Sequence, residues 1–151
     1  MNAVTHYLAP KDAGMIAEKQ GYVIYNQADK VDLMRLKALL AQSYWAAERS
    51  LDDIATSVTH SECFSLYHQD LQVGFARVVT DYVSFAYLAD VIIDEAFRGQ
   101  GLGKWLVDVA LSDPRWRDKL LMLVTNDAHS LYQRHGFSNS NKVLTTADKV
   151  R

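Results

Sequence analysis

The sequence contains one cysteine, two prolines and no long apolar run in its 151 residues. The single cysteine, Cys63, cannot form an internal disulfide, and its apolar neighbours predict a small core side chain rather than a nucleophile. No stretch approaches the roughly 18 apolar residues that would span a bilayer, and no N-terminal segment resembles a secretory signal. We therefore expect a cytoplasmic protein with no membrane partner.

An excess of charge of either sign is also missing, because 16 basic and 18 acidic side chains leave a net charge of −2. This balance gives no general attraction to nucleic acid, so a site for a polyanion must be local. The five histidines include no pair at i and i+4 and have no companion CxxC motif. We therefore expect no metal site.

The overall composition, with 49% hydrophobic and 23% charged residues, is typical of a soluble globular protein. The length fits a single domain over residues 1 to 151. Residues 1 to 20 have weak periodicity, which predicts a peripheral N-terminal extension.

Apolar periodicity predicts an alternation of strands and helices along the rest of the chain. We expect a strand at 21–25, helices at 32–43 and 50–60, strands at 62–67, 72–79 and 83–93, a helix from 102 to Pro114, a central strand at 119–124, a helix capped by Asn126 or Asp127 and ended by Gly136, and a weak closing strand within 137–146. This order indicates an α/β (α+β) fold with a central mixed sheet flanked by helices.

A buried strand, a glycine-rich loop and an amphipathic helix follow one another in residues 87–111. Glycines allow backbone N–H groups to turn toward a ligand, and a helix N-terminus carries partial positive charge, so this loop is suited to phosphate. The dinucleotide-binding fingerprint requires a glycine where Lys104 stands. The nucleoside-triphosphate loop requires a glycine at Arg98 and a serine or threonine at Trp105. Neither template fits.

The loop pattern Arg-Gly-x-Gly-x-Gly, which begins at Arg98, resembles the acyl-CoA pyrophosphate loop of the GNAT N-acetyltransferase family. A second family motif, Leu-Tyr-x-x-x-Gly-Phe, follows at 131–137. The resemblance covers roughly residues 21–137 and implies a mostly antiparallel sheet of six to seven strands with about four helices. It also implies acetyl transfer from acetyl-CoA, as co-substrate, to a primary amine of a small molecule or peptide. The chain departs from the family at Glu95, often proline, and at Thr125, often an asparagine that faces the pantetheine.

The resemblance also implies which residues hold acetyl-CoA. The backbone of the strand before the loop pairs with the pantetheine, and the loop N–H groups surround the pyrophosphate. This set comprises Val91, Ile92, Ile93, Arg98, Gly99, Gln100, Gly101, Leu102, Gly103, Lys104 and Asn126. The alternative for the loop is a tight turn between strand and helix.

Two residues are candidates for proton transfer. The resemblance assigns to Tyr132 the proton donor to the departing thiolate, and a phenol with a pKa of about 10 is protonated at neutral pH; its alternative role is packing. Asp90, the lone carboxylate in an apolar strand, is either the general base or the structural partner of an arginine or backbone amide. Asp81, Glu95 or a water relay are alternative bases. Arg77 either pairs with Asp81 or Asp90 or binds substrate.

The acceptor pocket of the family is built from the first two helices and the loops near the central strands. The residues at those places are Tyr44, Trp45, Arg49, Tyr82 and Phe85. Aromatic residues there could equally complete the core or a homodimer contact. A non-catalytic acyl-CoA-binding module, or a general phosphate-binding scaffold, is the alternative to an enzyme.

Overall fold

A six-stranded mixed sheet forms the centre of the protein, and the computed structural model describes it within residues 14 to 148. The strands lie in sequence order, and every neighbouring pair is antiparallel except the last, β5 and β6, which is parallel. The strands are β1 (Met15–Lys19), β2 (Tyr22–Tyr25), β3 (Glu62–His68), β4 (Leu71–Thr80), β5 (Phe85–Ile93) and β6 (Leu120–Met122). The expected mixed, mostly antiparallel sheet is confirmed.

Within the described residues, four α-helices flank the sheet, as predicted. They are α1 (Leu33–Leu40), α2 (Leu51–Thr59), α3 (Leu102–Leu111) and α4 (His129–Gln133), with short 3-10 turns at Ala28–Lys30 and Glu95–Phe97. None of the helices between residues 14 and 148 is long and apolar enough to cross a membrane.

The first two helices begin at the predicted caps. The side chain of Asp32 accepts the N–H of Arg35 at 3.0 Å, and that of Ser50 accepts the N–H of Asp53 at 3.1 Å. Each such cap typically stabilises a helix by about 1 kcal/mol, because it satisfies a backbone donor that has no partner inside the helix.

Helices cover both faces of the sheet. On one face, which we call the α1 face, α1 and α2 bury Leu36, Leu39, Leu40 and Ile54 against Cys63, Phe75 and Ile92. On the other, the α3 face, α3 packs against the sheet with Leu106, Val107 and Ala110 fully buried beside Phe64, Val78, Leu88 and Trp116. Cys63 is therefore a core residue, as expected, and burial raises the pKa of its thiol to about 12.

The two ends of the sheet differ from the sequence prediction. Met15–Lys19, inside the stretch expected to be an extension, forms the edge strand β1, while residues 1 to 13 lie outside the described residues. The strand expected to be central, at 119–124, is the three-residue β6 at the opposite edge, where Leu120 is 60% exposed. An apolar run of this length does not reveal whether it has one neighbour or two, and that prediction was wrong.

Two predictions near the C-terminus also fail. The first turn of α4 is capped by neither Asn126 nor Asp127; Thr125 accepts the N–H of Ala128 at 3.1 Å and that of Asp127 at 3.4 Å. A threonine hydroxyl can accept hydrogen bonds from the backbone N–H groups two and three residues further along the chain. Thr125 therefore binds N–H groups that a side-chain cap at Asn126 or Asp127 would otherwise compete for. Up to residue 148, the segment after Phe137 contains no strand. The left-handed Gly136 after α4 is confirmed, with φ 87°.

Candidate active site

The short strand β6 pairs with only the first three residues of β5 and then ends. Their parallel register runs from Phe85 opposite Leu120 to Tyr87 opposite Met122. Residues 88 to 93 of β5 continue beyond this point, paired with β4 on one side and with no strand of the described chain on the other. An unpaired strand edge offers backbone N–H and C=O groups to any extended ligand. Beyond the end of β6, the space beside this edge, which we call the cleft, therefore has a hydrogen-bonding wall.

A β-bulge at Asp90 shapes this wall. The register shifts so that β4 has one residue, Ala76, where β5 has two, Asp90 and Val91, and Asp90 adopts a left-handed φ of 54°. Strict alternation from Leu88, which packs on the α3 face, would place Asp90 on that same face. The extra residue reverses the alternation, so the Asp90 carboxylate lies on the α1 face instead.

Three donors surround the Asp90 carboxylate, whose side chain is only 3% exposed. Arg77 Nε and Arg49 Nη1 each donate to Oδ2 at 2.7 Å, and Trp45 Nε1 donates to Oδ1 at 2.9 Å. Burial acts to raise the pKa of Asp90, but the charges and hydrogen bonds of Arg77 and Arg49 outweigh it, so the pKa lies below its usual value. Since a carboxylate of lowered pKa is a weaker proton acceptor, the geometry favours the structural alternative over the general base.

The other carboxylates considered as bases have different surroundings. Asp81 lies exposed in the β4–β5 hairpin, where the hydroxyl and N–H of Ser84 and the N–H of Val83 donate to it and lower its pKa. Glu95 is exposed in the turn after β5. Arg77 pairs with Asp90, not with Asp81.

Two of the predicted acceptor-binding residues stand apart from the others. Tyr82 lies in the hairpin before β5, and its hydroxyl donates to Glu62 of β3. Phe85 is the first residue of β5. Phe85 lies five positions before Asp90, which is roughly 16 Å along a strand. The structure therefore brings together Trp45 and Arg49 at the bulge, with Tyr44 beside Trp45 at 5.1 Å between ring centroids, but not Tyr82 or Phe85.

The glycine-rich loop lies at the end of β5 and opens α3. Gly99 and Gly101 have φ values of 83° and 79°, and Gly101 is the N-cap of α3. The N–H groups of residues 99 to 104 donate no hydrogen bond to any part of the chain between residues 14 and 148. A Cβ at Gly99 or Gly101 would meet no atom within 4 Å, so the loop is open to solvent. Six unpaired N–H groups at the positive end of a helix are suited to a pyrophosphate.

Side chains within the predicted cofactor set mostly stabilise the loop. Arg98 Nε donates to the Ile93 carbonyl at 2.8 Å, and Gln100 accepts the Tyr22 hydroxyl at 3.2 Å. Leu102 is buried in the α3 face, while Lys104 is exposed and has no side-chain partner among the described residues. Lys104 is thus free to reach a phosphate.

Sequence reasoning missed the network that holds the entrance to this loop. Asp94 caps the 3-10 turn by accepting the N–H of Ala96 at 3.1 Å, and it forms an ion pair with Arg35 of α1. Gln42 donates to Asp94 Oδ1 at 3.3 Å and accepts the N–H of Glu95 at 3.0 Å. The contacts of Arg35 and Gln42 with this turn join residues more than 50 positions apart, so no local pattern signals them.

Tyr132 lies on α4 and is mostly buried, packed at 5.9 Å from the Phe137 ring. Its hydroxyl has no hydrogen-bond partner among the described residues and is not fully buried. Burial, followed by the negative charge of Asp127, raises the pKa of Tyr132, so the phenol is protonated at neutral pH. Asn126 is exposed, in the bend before this helix.

Helix α4 is held against α3 by a salt bridge. Arg134 Nη2 donates to Asp108 Oδ1 at 2.7 Å, which ties the residues around Tyr132 to the helix that begins at the glycine loop. Among the described residues, no three Cys, His, Asp or Glu side chains are grouped in a way that would hold a metal ion.

Comparison with known proteins agrees with this geometry. A family model described as an acetyltransferase (GNAT) domain matches residues 59–139, which run from the end of α2 through α4. A crystal structure described as an acetyltransferase of the GNAT family from Xanthomonas campestris pv. campestris is 32% identical, with a TM-score of 0.77 over 82% of this chain and 91% of that chain.

Two curated relatives are also similar to this chain. An acetyltransferase of Gibberella zeae is 28% identical over 107 residues, or 57% of this chain and 60% of the relative. The histone acetyltransferase TAP1 of Glycine max is 26% identical over 129 residues, or 76% of this chain and 55% of the relative. The chain thus spans less than two thirds of the length of either curated relative.

Proposed function

Because this chain belongs to the GNAT acetyltransferase family, we propose that it transfers the acetyl group of acetyl-CoA directly to a primary amine of a small molecule or peptide. The observation that carries the proposal is the succession of the unpaired edge of β5 and the unpaired N–H groups of the loop that follows it. Tyr132, whose hydroxyl has no partner among the described residues, packs in the same core cluster as Ile93 and Leu102.

Acetyl-CoA, when bound, supplies the activated thioester. The backbone of residues 91 to 93 is suited to pair with its extended pantetheine arm, as a further strand would. The N–H groups of residues 99 to 104 donate to the pyrophosphate, and Lys104 adds a positive charge. The side chains of Ile92 and Ile93 remain in the core, so the strand can bind through its backbone without losing its packing.

Tyr132 donates the proton that the departing thiolate requires. A protonated phenol with no competing partner is available to hydrogen-bond to a sulfur in the cleft. The raised pKa of Tyr132 keeps this proton in place well above neutral pH. The Arg134–Asp108 salt bridge positions the helix that carries it.

Asp90 acts as a positioning residue in this proposal. Its bonds to Arg49 and Trp45 hold the segment between α1 and α2 against β5, which forms the acceptor side of the cleft. Proton removal from the amine is assigned to solvent rather than to this carboxylate, because two arginines already occupy Oδ2.

The test has two parts. Calorimetry with acetyl-CoA measures binding, and release of the coenzyme A thiol against a panel of amines measures transfer. The proposal expects both. Tight binding with no turnover on any amine would identify a non-catalytic acyl-CoA-binding module, and no binding at all would exclude the glycine loop as a cofactor site.

A further inference from the structure

The charges around Asp90 do not balance. Arg49 and Arg77 both contact this single carboxylate at 2.7 Å, and neither forms a second ion pair within residues 14 to 148. Lys37 adds a nearby cation, because its Nζ donates to the Arg49 carbonyl at 2.9 Å. The Arg49 and Arg77 side chains are only 22% and 15% exposed, so solvent screens them less than surface charges. A local positive charge therefore exists in a protein whose net charge is −2.

Both guanidinium groups also retain unused donors. Arg77 uses Nε for Asp90 and Nη1 for the Ser61 hydroxyl at 3.1 Å, which leaves Nη2 without a partner in the described chain. Arg49 uses only Nη1, so its Nε and Nη2 are unpaired there as well. None of these three nitrogens is among the fully buried polar atoms, so each is accessible. Paired guanidinium donors match the oxygens of a carboxylate or phosphate.

This arginine pair lies beside the proposed reaction site. It contacts the bulge directly before residues 91 to 93, where the edge of β5 is unpaired. Trp45 shares the Asp90 carboxylate with the pair, and the Tyr44 ring packs against Trp45. The two arginines, Trp45 and Tyr44 thus form one cluster beside the unpaired edge of β5.

We propose that Arg49 and Arg77 bind an anionic group of the acceptor, so that the preferred substrate is an amine carrying a carboxylate or a phosphate. This inference rests on the proposed function, since it specifies the acceptor of the same site. An ammonium group cannot reach the Asp90 carboxylate, which is almost completely buried, whereas an anion can reach the unused arginine donors. Binding the anion there leaves the amine of the same molecule free to face the cleft.

Matched acceptors test this inference on the wild-type protein. Amino acids are compared with their carboxamides and with the decarboxylated amines, and amino sugars are compared with their phosphate esters. Thiol release gives kcat/KM for each compound. We expect the anionic member of the preferred pair to exceed its neutral counterpart by about 10-fold or more, which corresponds to one hydrogen bond to a charged group. The series that shows the preference distinguishes carboxylate from phosphate.

Variants then identify the residue responsible. Arg49→Met keeps an apolar stem without charge and should raise KM for the anionic acceptor by about 10-fold or more beyond any change in KM for its neutral counterpart, because both acceptors lose the positioning by Arg49 but only the anion loses its charge partner. Arg117→Met is the matched control, because Arg117 is exposed and paired only with Asp118. Arg49→Lys retains a positive charge beside Asp90 but removes the planar fork, so the variant should still fold. It should lose part of the preference.

Equal kcat/KM for anionic and neutral acceptors in the wild type would overturn the inference but leave the acetyltransferase proposal standing. Equal losses on both acceptor types in Arg49→Met and Arg49→Lys would also overturn it, since the role would then be structural. If no amine reacts, the proposed function fails, and the anion site is judged separately. Inorganic phosphate, added with saturating coenzyme A at constant ionic strength, must then raise the melting temperature of the wild type more than that of Arg49→Lys; equal shifts overturn the inference.

Discussion

The side-chain oxygen of Gln42 accepts the backbone N–H of Glu95 at 3.0 Å, at the position where the family often has proline. Proline has no N–H, so this bond exists only because the chain departs from the family there. The same side chain donates to Asp94, which caps the turn that leads to the glycine loop. Gln42 therefore provides through a hydrogen bond the restraint that a proline ring provides covalently.

This relationship predicts that Gln42 and Glu95 are coupled. Gln42→Ala should lower the free energy of unfolding by about 1 kcal/mol and weaken acetyl-CoA binding, because the loop entrance loses two hydrogen bonds. Glu95→Pro should be tolerated, since Asp94 has the extended ψ of 131° that a following proline requires. In the Glu95→Pro background the loss caused by Gln42→Ala should shrink. Urea unfolding and calorimetry of the four proteins measure this, and strictly additive effects would refute the coupling.

The features that sequence could predict are those that depend on neighbouring residues. The caps at Asp32 and Ser50 and the left-handed Gly136 each follow from a side chain or φ preference acting within four positions. The sequence also predicts the glycine loop, because the strand, the glycines and the helix are continuous in the chain.

The features that sequence could not predict depend on pairing between distant segments. The side of the sheet that Asp90 faces is decided by a bulge opposite Ala76, and alternation along β5 alone gives the wrong face. The role of Gln42 requires α1 to approach the end of β5. Whether β6 is central or at an edge depends on which strands lie beside it, and an apolar run carries no such information.

Tyr132→Phe should separate chemistry from binding. Removal of the phenolic proton should lower kcat by about 100-fold or more, while acetyl-CoA affinity changes little because the ring still packs against Phe137. Tyr67→Phe is the matched control. Tyr67 lies on β3, outside the cleft, and its hydroxyl donates to the Lys30 carbonyl. The turnover of this variant should be unchanged. A wild-type rate in Tyr132→Phe would remove this residue from the mechanism.

The pH profile provides an independent check on Tyr132. The phenol acts in its protonated form, and its raised pKa keeps it protonated to higher pH. The alkaline fall of kcat caused by Tyr132 should therefore lie above the ordinary tyrosine pKa of about 10. Stopped assays across the alkaline range, with Tyr132→Phe as the reference, should show this fall only in the wild type. The same fall in both proteins would assign it to another group.

Gly101 and Gly103 should respond differently to alanine. Gly101 has φ 79°, so Gly101→Ala forces a left-handed backbone on a Cβ and should cost about 1 kcal/mol of unfolding free energy. It should also weaken acetyl-CoA binding. Gly103 lies inside α3, and a Cβ there would meet Ile93 at an ordinary 3.6 Å, so Gly103→Ala should be neutral or slightly stabilising. Thermal unfolding and calorimetry of both variants test this, and equal stability would contradict the assigned role of Gly101. Gly101→Arg should abolish binding by filling the space used by the pyrophosphate.

Asp90→Asn distinguishes a positioning residue from a general base. Loss of the charge leaves Arg49 and Arg77 without their partner, and breaking such a buried pair typically costs about 3 kcal/mol. Because the pKa of Asp90 is lowered in the folded protein, its stabilisation is present above the unfolded value of about 3.9 and is lost as pH falls through the folded value. The stability gap between wild type and Asp90→Asn should therefore narrow below about pH 4.

Activity measurements complete this distinction. If Asp90 positions Arg49 and Trp45, Asp90→Asn should raise the acceptor KM more than it lowers kcat, and the acidic limb of the kcat/KM profile should remain. Arg77→Met, which removes one donor but keeps the carboxylate, should show the same split between KM and kcat. A general base would behave differently, because its removal abolishes the acidic limb and lowers kcat at every acceptor concentration. If Asp90→Asn loses the acidic limb of the kcat/KM profile while Arg77→Met retains it, Asp90 is the general base.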